Sequence, residues 1–154
     1  MIFYTSFFAI VFILGLPNYL KNLKNLKLFF EAILFILLII FSGLRYEVGG
    51  DWENYIVQFK GFANFGFPSV AIFTSSDPIY ITINILSHKL GTGIELVNLI
   101  CSMVFFSGYY LFVKKYGHNV LSILAPFLFI FLILSMGFSR QCLSIGFILY
   151  SLYF

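Results

Sequence analysis

Ionised side chains in this chain are confined to a few tight clusters, and the stretches between them are apolar and about as long as a bilayer is thick. No other feature restricts the fold so severely. Helices of about 20 apolar residues cover a hydrocarbon core of roughly 30 Å and satisfy their own backbone hydrogen bonds, so such runs are spans. Hydrophobic residues make up 61% of the chain and charged ones only 10%, and the mean hydropathy is +1.01. The expectation is an all-α, polytopic transmembrane helical bundle forming one membrane domain over 1–154, with no soluble domain. A net charge of +3 is too small and too scattered for a nucleic-acid partner. The richness in Phe, Ile, Leu, Asn, Lys and Tyr suits an AT-rich bacterial genome.

The runs place five spans, at about 2–20, 28–44, 94–113, 119–137 and 141–154. No basic residue precedes Ile2 and no cleavage site follows Leu20, so the first run reads as a retained span. Lys21, Lys24 and Lys27 form a short basic connection and Lys114-Lys115 a second. Basic loops stay in the cytoplasm, which puts the N-terminus and the 45–78 loop outside, in a multi-pass protein of the bacterial cytoplasmic membrane. Glu31, early in the second span, is expected at the cytoplasmic interface. The fifth run has no polar exit, so the chain is expected to be the N-terminal part of something longer.

The external loop carries Arg45 and Lys60 against Glu47, Asp51, Glu53 and Asp77. Within it Trp52, Tyr55, Phe59 and Phe62 recur at helical spacing, predicting a short amphipathic helix from Asp51 to about Gly61 at the outer interface. Gly49-Gly50 reads as a turn permitting positive φ. Asp77-Pro78 reads as a helix start, an N-cap acceptor followed by proline at N1. The helix it opens, 79–90, reaches only about 18 Å and is expected to be interfacial or re-entrant, ended by Gly91-Thr92-Gly93.

The segment Gly43-Leu44-Arg45-Tyr46-Glu47-Val48-Gly49-Gly50-Asp51-Trp52-Glu53-Asn54-Tyr55 gathers an arginine, three carboxylates and three aromatics at the end of an apolar run. Its spacing, Gly-Leu-Arg-Tyr-x-Val-Gly-x-Asp-Trp-x-x-Tyr, resembles the EpsG family of bacterial polysaccharide polymerases, relatives in role of the Wzy O-antigen polymerases. Asp77-Pro78-x-Tyr80 with Asn84, and Ser139-Arg140-Gln141 opening a span, match in the same order. Members of that family are longer, so the resemblance implies an incomplete GT-C-like polymerase that does not polymerise alone.

What the resemblance implies is a membrane glycosyltransferase. It would join oligosaccharide repeat units carried on undecaprenyl pyrophosphate at the outer face of the membrane, in capsule, exopolysaccharide or O-antigen biosynthesis, with a flippase and a chain-length regulator as further partners. Such a transfer expels a diphosphate, which needs fixed cations, and arginine binds phosphate oxygens through a planar fork. Arg45 and Arg140 are the two arginines. The acceptor hydroxyl needs a carboxylate base, Asp51 first and Glu53 second. Tyr46, Trp52 and Tyr55 would stack on sugar rings, with Asp77, Tyr80, Asn84 and Gln141 as further substrate contacts.

Each assignment has a plainer counterpart. Arg45 and Arg140 can anchor span ends to lipid phosphates. Asp51 can cap the helix that follows it. The aromatics, Phe59 and Phe62 above all, can form a headgroup-level belt. His88, near Asn84 and Ser87 at helical spacing, can line a cavity or serve structure alone. No second histidine lies at metal-ligand spacing, and Cys101 and Cys142 read as small hydrophobes, so no metal or cofactor is assigned. Two other functions are a transporter or flippase of lipid-linked sugars and a non-catalytic, truncated membrane protein. A flippase should distribute its charges along a path through the membrane, whereas here they crowd one face.

Overall fold

The computed structural model describes residues 24–62, 77–116, 134–135 and 137–154, so the expected span 2–20 and most of 119–137 lie outside the described residues. Within those residues the chain is helical throughout, with no strand. Five helices are bounded: α1 at Lys24–Gly43, α2 at Trp52–Phe62, α3 at Pro78–Lys89, α4 at Ile94–Tyr116 and α5 at Ser139–Tyr153. These agree with the expected runs to within a few residues at each end. Helical backbone also occurs at 134–135, just before α5.

α4 is the central element. Its 23 residues correspond to about 34 Å of helix, and it is the one described helix long and apolar enough to cross a membrane. α1 contributes a shorter apolar stretch, Glu31–Gly43, and α5 has 15 residues.

Side-chain contacts give the helix directions. Arg45 meets Asn98, Ser42 meets Ser102 and Phe35 meets Tyr110, so α1 runs antiparallel to α4. Ser139 meets Asn98, Tyr150 meets Ser107 and Tyr116 meets Leu152, so α5 runs parallel to α4.

Close approach rests on glycine. A Cβ on Gly108 would lie 2.7 Å from the backbone oxygen of Gly146, and one on Gly43 would lie 2.7 Å from the Cα of Leu99. These positions let α5 and α1 lie against α4 nearly backbone to backbone, the way small residues pack helices where burial from water is not the driving force. The main core, Leu34, Phe35, Leu38, Phe105, Phe106, Tyr109, Val113 and Cys142, fills the space around them.

Glu31, expected at an interface, is 4% exposed. It lies one turn before Phe35 and so is level with the last turns of α4. α2 and α3 fold over the opposite end. The aromatic face of α2 is core and not a lipid belt: Tyr55 and Phe59 are buried with Tyr80, Ile83, Val97 and Leu143, and Phe62 packs on Ile81 and Ile85. His88 belongs to the same packing. Its ring stacks on Phe59 with centroids 3.9 Å apart, and its Nε2 meets the Phe59 carbonyl.

α3 starts and stops as its sequence dictates. Pro78 occupies the first turn, where a missing N–H costs no hydrogen bond. At its end Gly91 has φ +66°, its N–H donates to the His88 carbonyl, and the Thr92 N–H donates to that of Ser87. That is the glycine-terminated helix end with both of its closing bonds. Asp77 stands at the N-cap as expected, but its side chain makes no capping hydrogen bond; the carboxylate is engaged elsewhere.

Candidate functional site

The loop between α1 and α2 turns at Gly49, φ 111°, where the Trp52 N–H donates to the Gly49 carbonyl at 3.2 Å. Glu47 also has positive φ, 51°, a conformation costing a non-glycine residue about 1 kcal/mol. Asp51 then opens α2, its carbonyl accepting from Tyr55 N–H. This turn returns α2 over the ends of α3, α4 and α5, where the two arginines take different positions.

Arg45 is inside, 4% exposed. Its Nη1 donates to the Ser135 carbonyl at 2.9 Å, and its Nη2 donates to Asn98 Oδ1 at 3.3 Å and to the Ser139 hydroxyl. Ser139 in turn donates to Asn98 Oδ1 at 2.7 Å. The fork of one guanidinium thereby ties the end of α1 to α4 and to the corner that leads into α5. Two nitrogens bonding in two directions is a task for arginine's rigid plane. Burial pulls the Arg45 pKa below the ordinary arginine value, yet arginine stays a cation in proteins. All three of these acceptors are neutral, and Nε is buried with no partner. A lipid anchor would reach into the headgroups, and Arg45 does not.

Arg140, one residue beyond Ser139, is on the rim. Its guanidinium pairs with the Asp77 carboxylate across α5 and α3, the two side chains being 38% and 28% exposed. The guanidinium carbon also stands 6.0 Å from the centre of the Tyr80 ring, within cation–π range. A cleft of about 160 Å³ opens here, lined by Asp77, Pro78, Tyr80, Arg140, Ser144 and Phe147 among others. Drug-sized ligands occupy roughly 300 Å³ or more, so this space suits one group of a larger molecule.

Tyr55 packs against Tyr80 with ring centroids 6.0 Å apart, and burial, first of all, raises the pKa of its hydroxyl. The structure therefore gathers Arg140, Asp77, Tyr80, Tyr55 and Asp51 at one end, with Arg45 behind them. The remaining expected residues are dispersed. Tyr46 is exposed and edge-on to Trp52, with centroids 5.9 Å apart, and Glu47 beside it raises its hydroxyl pKa. Glu53 and Gln141 are exposed. Asn84 is fully buried, its Nδ2 donating to the Tyr80 carbonyl at 2.7 Å. Asn98, Ser135 and Ser139 were not expected in the site. A lone Asn98 amid Leu96, Val97, Leu99 and Ile100 was the available signal, because polar groups inside apolar helices have specific partners. No group of three or more metal-ligating side chains occurs among the described residues.

Lys114 and Lys115 mark the far end of α4, where Lys115 donates to the Tyr153 carbonyl and the Tyr116 hydroxyl to that of Leu152 at 2.9 Å. Apolar helices with a lysine pair at one end and an arginine–carboxylate cleft at the other define an all-helical protein of the kind that keeps its ionised groups off its apolar flanks. The EpsG family model matches residues 28–154. The chain belongs to the EpsG family. No curated protein and no solved structure matches it.

Proposed function

We propose that this chain belongs to a membrane glycosyltransferase. It would polymerise oligosaccharide repeat units carried on undecaprenyl pyrophosphate, at the outer face of the bacterial cytoplasmic membrane, for capsule, exopolysaccharide or O-antigen. The observation that carries the reading is Arg140, a partly exposed guanidinium facing a cleft between α3 and α5, in a chain that belongs to this family.

In the reaction an acceptor hydroxyl attacks the anomeric carbon of the donor. The new glycosidic bond forms as the bond to the lipid diphosphate breaks, and the diphosphate leaves with the electron pair. Arg140 compensates the charge that develops on it, as a fixed cation does best where water is scarce. A carboxylate takes the hydroxyl proton; Asp51, one turn before Tyr55 at the start of α2, has this role. Arg45 is too enclosed to meet a lipid-linked substrate in this state and acts by fixing Ser139, and with it Arg140, at the start of α5. The exposed Tyr46–Trp52 pair offers a stacking surface for sugar.

The test is polymer length on a gel from a strain deleted for the gene and complemented with its full-length locus. Arg140→Ala is expected to reduce the ladder to single repeats at unchanged protein abundance. A normal ladder from this variant would remove the reading.

A further inference from the structure

Asp77 stands where a helix N-cap normally uses its carboxylate on its own first turn. Here that bond is absent and the carboxylate is turned outward onto Arg140 of α5. We propose that Asp77 is an internal stand-in for an anionic ligand, a carboxylate that holds Arg140 until a phosphate-bearing group enters the cleft and displaces it. The proposal rests on the functional reading above and adds a competitor to it.

The chemistry of the two anions is interchangeable at a guanidinium. Carboxylate and phosphate both present paired oxygens to the fork, and a diphosphate brings more charge. Displacement is feasible because both partners are partly exposed, and ion pairs reached by water hold weakly. Arg140 has a second support in the Tyr80 ring, so it keeps its place when Asp77 leaves. The cleft between them has the volume for a phosphate group and not for a whole repeat unit. Displaced from Arg140, the Asp77 carboxylate can turn to the cap of α3 that it does not now make.

The test measures inorganic pyrophosphate binding to the purified full chain in neutral detergent, by calorimetry, for wild type, Asp77→Asn, Asp77→Ser and Arg140→Gln. Loss of the competitor should tighten binding in both Asp77 variants by up to about fivefold, the upper end for one exposed ion pair, while Arg140→Gln loses binding. Unchanged or weaker binding in the Asp77 variants, with Arg140→Gln still defective, overturns the stand-in alone. Wild-type binding in Arg140→Gln, or none in any protein, overturns the functional reading as well. Failure of both Asp77 variants to yield folded protein also overturns the stand-in, because the carboxylate would then be a structural tie. Repeating the titration with phosphatidylglycerol in the micelles separates the two sources of phosphate. Pyrophosphate binding that survives supports a diphosphate ligand; its loss assigns the cleft to lipid headgroups and overturns that ligand class.

Discussion

Two arginines of equal charge have opposite surroundings, and conservative exchange separates them. In Arg45→Lys a single ammonium replaces two nitrogens that bond Ser135 on one side and Asn98 with Ser139 on the other. It cannot serve both directions, and each orphaned buried polar group costs about 1–3 kcal/mol. Arg45→Lys is therefore expected to lower thermal stability in detergent and abundance in cells, with activity falling as a consequence. Arg140→Lys, at a partly exposed pair, should leave stability within about 0.5 kcal/mol and shorten the polymer. Fluorescence-detected thermal unfolding beside polymer gels checks both; a stable Arg45→Lys protein with no polymer would return Arg45 to direct contact with substrate.

Helix contact makes a second contrast among the glycines. Gly108 faces a backbone oxygen at the α4–α5 crossing, whereas nothing lies within 4 Å of a Cβ at Gly61, inside α2. Gly108→Ala forces the two helices apart, and overpacking of this kind costs about 1–3 kcal/mol. Gly61→Ala only restricts the unfolded chain and favours the helix, worth about 0.5–1 kcal/mol in the stabilising direction. Opposite shifts in melting temperature are the expected result. A Gly108→Ala protein as stable as wild type would mean that the α4–α5 crossing is not as close as Gly108 and Gly146 make it.

Charge also polarises the molecule as a whole: Lys114 and Lys115 end α4 at one pole, and Arg140, Asp77 and Asp51 gather at the other. The positive-inside rule would place the lysine pole in the cytoplasm. Single cysteines at the exposed positions Glu53 and Lys114, in a background without the buried Cys101 and Cys142, report the orientation. In intact cells an impermeant thiol reagent should label position 53 and spare position 114. The reverse pattern would invert the topology and move the cleft to the cytoplasm.

Local chemistry was enough to lay out the described elements. Long apolar runs, Pro78 and Gly91 set helix identity and ends because helix formation and termination depend on residues within a few positions of each other. The confinement of charge to the helix ends was legible for the same reason. The partners were not. Whether Asp77 caps α3 or holds Arg140 depends on a side chain 63 residues away, and the burial of Arg45 depends on acceptors 53, 90 and 94 residues away. Periodicity carries no record of such distances. They were decided when α1 and α5 packed closely on α4, at glycine contacts, and brought Ser135, Ser139 and Asn98 to the end of α1, giving one guanidinium neutral acceptors in the interior and leaving the other on the rim.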